Sequence, residues 1–270
     1  MTSRLERARR TVIPGLVVMV IAAMVIAVAL GASACGGDGG GTSQAASSPS
    51  PTAKKLRVVA TSVQITALAR EVGGDRIELR GLVPAGADPH DFEPVASDLV
   101  AIDEAQLILR HGIGLDDWLD DTLSAGDAEV VTVTDGISLR RGEEDGEEVE
   151  DPHVWHDPDN DALMVDDIAK ALDAADPSNA ATYDANADSY KQKLARTKTE
   201  VQAIIDEIPP DNRKLVTDHD AFGYFANAFG LEVVGAVIPS VSTEAEASAG
   251  ETADLLDTIE REHVKAIFAE

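Results

Sequence analysis

From Asp176-Pro177 to Pro209-Pro210 the chain reads DPSNAATYDANADSYKQKLARTKTEVQAIIDEIPP, and no residue between the two proline signals breaks a helix. Asp176-Pro177 has the form of an N-cap followed by a first-turn proline, and the paired prolines mark the stop. Inside the stretch, Ala180, Tyr183, Ala187, Tyr190, Leu194, Thr197, Val201, Ile204 and Ile208 recur at alternating spacings of three and four, so one face is expected to pack along the whole length. Residues 177–208 at about 1.5 Å each make a rod of roughly 48 Å, longer than a small domain is wide. Half of a coiled coil would carry the same stripe. The flanking segments favour a backbone helix that joins two lobes.

On the N-terminal side, short apolar runs alternate with helical patterns. Residues 56–63, 77–83, 106–109 and 129–133 read as strands, and residues 65–72, 93–104 and 115–123 as helices. A further helical stretch covers residues 162–172. After the long helix the alternation resumes, with strands at 214–217, 233–238 and 264–269 and helices at 222–229 and 243–262. Strand alternating with helix argues for crossover units on parallel sheets. The expected fold is therefore α/β, with two parallel-sheet lobes (residues 55–175 and 211–270) joined by one rigid helix (176–210). The chain reaches Glu270 at a strand end where a lobe would need more elements, so the second lobe is expected to be incomplete and the sequence truncated.

Composition limits the function. With 44% hydrophobic residues the chain can bury real cores, and 49 acids against 22 bases leave a formal charge of −27. A nucleic-acid partner needs clustered Lys and Arg, so that class is excluded, and anionic lipid surfaces are disfavoured. The single cysteine rules out a disulfide framework and a Cys-based zinc finger. Its position suggests another use. Arg4, Arg7, Arg9 and Arg10 precede an apolar run from Val12 to Ala34, which leads through Ala32, Ser33 and Ala34 into Cys35, Gly36 and Gly37. Residues 1–35 read as an export signal. An uncleaved signal anchor would also fit the run. The small residues before Cys35 instead resemble a bacterial lipobox, in which the thiol is lipidated and anchors the protein to the outer face of the membrane; Ala32 stands where such boxes usually carry leucine. Residues 36–54 are a Gly/Ser/Ala/Pro-rich tether with nothing to bury. Without the signal, 18 bases and 48 acids remain.

The chemistry lies in six histidines: His90, His111, His153, His156, His219 and His263. His90, in Asp88-Pro89-His90-Asp91-Phe92-Glu93-Pro94, and His219, in Asp218-His219-Asp220, stand just beyond expected strand ends, where open parallel sheets bind ligands. His153 lies in Asp151-Pro152-His153-Val154-Trp155-His156-Asp157-Pro158. Each has a neighbouring acid able to hold the other ring nitrogen. Three imidazoles with a carboxylate make a tetrahedral zinc set, and three with an open position also describe a zinc hydrolase. His156 sits in a proline-bounded turn, His111 at a strand end and His263 in a charged helix; none of these three is expected to be a ligand. Seven acids within residues 143–151 read as a solvated loop, or as a loose carboxylate antenna for metal.

The ordered motifs around His90, around His153 and at His219-Asp220-Ala221-Phe222-Gly223-Tyr224-Phe225, with the long helix between the second and third, resemble the substrate-binding lipoproteins of zinc and manganese ABC importers from about Leu56 to Glu270. That resemblance implies two α/β lobes with one metal in the cleft between them, bound by His90 and His153 from the first lobe and His219 from the second, and a permease as partner. Manganese-selective members resemble this pattern with glutamate at the position of His219, so zinc is expected ahead of manganese. The family's fourth ligand, an aspartate late in the second lobe, has no counterpart before Glu270, which leaves the fourth position to water. His111 stands where the family commonly has asparagine, and a supporting role behind the ligands is expected for it. The resemblance implies a monomeric binding protein with no catalytic residues. The alternative is a surface-anchored zinc-dependent hydrolase, for which Glu93 or Asp220 would be the base; a His-Glu-x-x-His helix is absent from the sequence.

Overall fold

The computed structural model describes residues 54–123, 127–144 and 146–270. Cys35, the signal peptide and nearly all of the tether lie outside the described residues. Four parallel strands open the first lobe: β1 (Leu56–Ala60), β2 (Ile77–Gly81), β3 (Leu107–Arg110) and β4 (Glu129–Thr132), in the order β2-β1-β3-β4. Val58, Val59, Ala60, Leu107, Ile108 and Leu109 are all buried, which is the continuous apolar pattern of a sheet covered on both faces. The covering helices are α1 (Val63–Gly73), α2 (Ala96–Glu104), α3 (Trp118–Thr122) and α4 (Pro158–Ala175). The Ser62 hydroxyl caps α1 by accepting the Ile65 N–H, and Asp157 caps α4 ahead of Pro158.

The long helix, α5 (Ala180–Asp206), has 27 residues and a length of about 40 Å, shorter than expected. Asp176 does not cap it. It ends α4 instead, through its own N–H to Leu172 O, while its carboxylate accepts from Ser178, Asn179 and the Tyr183 hydroxyl. Pro177 therefore lies in a tight turn between two helices. Packing along α5 is also uneven: Tyr183 and Ala187 are buried, yet Thr197 is exposed and Ile204 is 64% exposed, with Ile205 buried in its place.

Beyond α5, β7 (Lys214–His219) pairs in parallel with β8 (Glu232–Ile238) and β9 (Ile267–Phe268), in the order β8-β7-β9, with α6 (Gly223–Phe229) and α7 (Ala249–Glu262) alongside. Helix α7 starts six residues later than expected, where Ser248 and Glu251 form a reciprocal cap. The largest revision falls between the lobes' sheets in sequence. The acidic run, expected to be a loop, forms an antiparallel hairpin of β5 (Arg141–Glu144) and β6 (Glu147–Glu150), turned at Gly146 with φ 80°. Arg141 lies 4.0 Å from Glu148 and 3.8 Å from Glu150. Among the described residues no helix is long and apolar enough to cross a membrane.

Candidate metal centre

The two Asp-Pro-His segments fold alike. Asp88 Oδ1 accepts the His90 backbone N–H at 2.9 Å, and Asp151 Oδ1 accepts that of His153 at 3.0 Å. Proline between them fixes φ and has no competing N–H. Asp151 Oδ1 also meets His153 Nδ1 at 2.9 Å, so the ring proton sits on Nδ1 and Nε2 is left with its lone pair for a metal. His219 ends β7, its backbone N–H bonded to Asp218 Oδ1 at 2.9 Å; the same oxygen lies 3.3 Å from Nδ1 but outside hydrogen-bonding geometry.

From these three positions the rings converge. His153 Nε2 is 3.3 Å from His90 Nε2 and 3.2 Å from His219 Nε2, and the three residues form the one His/Cys/Asp/Glu group among the described residues able to share an ion. Zinc–nitrogen bonds near 2.0–2.1 Å place tetrahedral ligand atoms about 3.3–3.4 Å apart, so His153 already stands at ligand spacing from each of the other two rings. Burial, reinforced by the neighbouring His153, lowers the His90 pKa to about 4, which keeps that ring neutral and able to ligate at ordinary pH.

Sequence reading did not point to a carboxylate that stands beside the three rings. The Glu270 carboxylate places Oε2 3.5 Å from His219 Nε2 and 3.8 Å from His153 Nε2, without joining the three-histidine group itself. Its Oε1 accepts the Trp155 indole N–H at 3.0 Å and lies 3.4 Å from His156 Nε2. Burial raises the Glu270 pKa, but the His156 contact and the potential of His153 outweigh it and hold the carboxyl below its usual range. No local signal marks Glu270, because strand pairing brings it to the cleft.

The remaining histidines stand outside the three-membered group. His111 is fully buried, with Nε2 2.8 Å from the Pro152 carbonyl oxygen directly behind His153. His156 stacks on Phe222 at 4.7 Å. His263 is exposed just past the end of α7, in a left-handed conformation (φ 57°), rather than within the helix. A cavity of about 340 Å³ opens on His90 between Gly114, Glu144, Glu150, Val241 and Ser242, and another of about 320 Å³ is lined by Asp88, His90, His219, Thr243 and Glu270.

A two-lobed α/β body with convergent imidazoles from both lobes is the architecture of a metal-binding solute receptor. The family model described as zinc-uptake complex component A, periplasmic, matches residues 58–270. The chain is 32% identical over 226 residues to the manganese ABC transporter substrate-binding lipoprotein PsaA of Streptococcus pneumoniae, covering 80% of this chain and 72% of that one. It is 31% identical over 230 residues to the iron-binding protein YfeA of Yersinia pestis, covering 84% and 73%. A solved Mn-bound periplasmic metal-binding protein from Candidatus Liberibacter asiaticus superposes with a TM-score of 0.71 at 27% identity, covering 80% of this chain and 79% of that one. The chain belongs to this family, the substrate-binding proteins of metal ABC transporters, which are binding proteins and not enzymes.

Proposed function

We propose that the protein captures a divalent metal, zinc ahead of manganese, on His90, His153 and His219 and delivers it to an ABC permease. The observation that carries this reading is the convergence of three imidazoles from two lobes, with His153 Nε2 3.3 Å from His90 Nε2 and 3.2 Å from His219 Nε2. Nitrogen-rich donor sets suit zinc, and the single carboxylate beside the three imidazoles, Glu270, does not make the site oxygen-rich. The relatives' names cite manganese and iron, so metal choice is the point to be measured. Resemblance to named lipoproteins supports an extracytoplasmic, membrane-anchored location; in this reading Cys35, after the apolar run, is the anchor, residues 36–54 are the tether, and the body acts as a monomer.

Competition titrations of zinc and manganese against the purified protein test the assignment. Zinc is expected to bind more tightly than manganese, and His153→Ala to abolish zinc binding. Tighter manganese binding would overturn the metal choice, and full affinity in His153→Ala would overturn the site. For the anchor, Cys35→Ala is expected to release the protein from membranes or leave its signal uncleaved.

A further inference from the structure

Both aspartates that hold first-lobe histidines are themselves gripped from the second lobe by a hydroxyl. Tyr224, buried on α6, donates to the Asp151 carbonyl oxygen at 3.1 Å and accepts the Arg140 N–H at 2.9 Å, so its hydroxyl sits between the two chains at the base of the β5–β6 hairpin. The Arg140 guanidinium lies 5.7 Å over the Tyr224 ring. Thr243, between β8 and α7, donates its hydroxyl to Asp88 Oδ2 at 2.7 Å. Asp151 Oδ1 then holds His153 through both its backbone N–H and Nδ1, and Asp88 Oδ1 holds the His90 backbone N–H.

We propose that Tyr224 and Thr243 are positioning residues that make the placement of His153 and His90 conditional on closure of the lobes. With the second lobe seated, both aspartates are braced and the two Nε2 atoms converge. When it lifts, both hydroxyls leave together, and the histidines lose their support at the moment the cargo must go. Neither hydroxyl is needed merely to dock the lobes, because the hairpin already bonds Val241 N–H to Glu143 O at 2.9 Å and packs Gly142 so tightly that a Cβ there would lie 2.2 Å from Val241 Cγ1. Two unrelated elements, α6 and the β8–α7 segment, reach the equivalent aspartate of two separate Asp-Pro-His turns. Ordinary contact between lobes gives no reason for that repetition. The inference rests on the three-histidine reading of the site.

The test is zinc dissociation from loaded, purified protein into excess chelator, with the melting temperature of each metal-free variant measured alongside. Tyr224→Phe is expected to release zinc about tenfold faster, the scale of one hydrogen bond in a buried network. Thr243→Val should act in the same direction but more weakly, about threefold, because Asp88 is solvent-exposed. Thr243→Ser should retain the wild-type rate. Retention of zinc by His153→Ala would refute the site itself. Loss of zinc there, with wild-type release in Tyr224→Phe and Thr243→Val, would refute the coupling alone. So would faster release in Tyr224→Phe matched by a fall in its metal-free melting temperature, with Thr243→Val unchanged.

Discussion

His111 has no solvent exposure, and its ring makes a single hydrogen bond, Nε2–H to the Pro152 carbonyl, while Nδ1 has no partner. Burial lowers its pKa from 6.5 to about 4, against the opposing pull of Asp116 and the Pro152 carbonyl. The unfolded chain therefore binds a proton that the folded one refuses between pH 6.5 and 4. Stability is complete above the unfolded value and falls as pH drops through that window, by about 1.4 kcal/mol per pH unit for each such group. His90, also lowered to about 4, has the same sign. Asp161, raised to about 7 by burial and the neighbouring Asp157, titrates with the opposite sign over the same window and offsets part of this slope. In thermal melts of metal-free protein from pH 7 to 4, His111→Asn should therefore change the slope by about one proton relative to wild type; an unchanged slope would place the titration elsewhere. Glu270 is open to a parallel test. Glu270→Gln keeps an acceptor for Trp155 but removes the charge, and zinc affinity should fall about tenfold, the scale of one charge-assisted interaction in a partly buried site. Wild-type affinity in that variant would remove Glu270 from the donor set. At this scale the convergence of the three histidines was legible because His90 and His153 sit in turns made by their own Asp-Pro neighbours and His219 ends a strand of a parallel sheet. Glu270, Tyr224 and Thr243 were not, since each reaches the site from a distant part of the sequence.

Helix α5 shows where a correct periodicity misleads. Spacings of three and four average 3.5 residues, whereas a straight helix turns every 3.6, so a strict stripe drifts by about 20° per heptad. Three heptads from Tyr183 the drift is about 60°, which carries Ile204 off the packed face and brings Ile205 closer to it. The observed burial follows, with Ile204 64% exposed and Ile205 8%. Ile205→Ala should cost about 2–3 kcal/mol in chemical unfolding, and Ile204→Ala about 0.5 or less. Equal costs would mean that the end of the helix packs differently. The hairpin failed for the opposite reason. Its composition is that of a solvated loop, yet Asp145-Gly146 between short runs is a hairpin turn signal, and Gly146 adopts the positive φ that such turns need. Seven carboxylates masked the turn chemistry. The strands hold because Arg141 lies near Glu148 and Glu150 and because Glu143 bonds across to Val241.

For the molecule as a whole, a formal charge of −27 is a field as well as a solubility device. A divalent cation approaching the cleft meets Glu144 and Glu150 on the wall of the cavity that ends at His90, so attraction persists from long range to the last few ångströms. Once the metal is seated among buried imidazoles, bulk salt reaches it poorly. Salt should then act on capture and spare release. The Debye length is about 30 Å at 0.01 M salt and about 10 Å at 0.1 M, so raising salt over that range removes most of the distant contribution to the encounter. Stopped-flow mixing of zinc with metal-free protein should show the association rate falling several-fold across this range, while dissociation into chelator stays constant. Glu144→Gln with Glu150→Gln should lower the association rate at both salt concentrations and weaken its salt dependence, because the carboxylates nearest the path contribute most. If dissociation rather than association carried the salt dependence, the bound ion would have to lie in contact with solvent, and a site closed between two lobes would be the wrong picture of how this protein holds its metal.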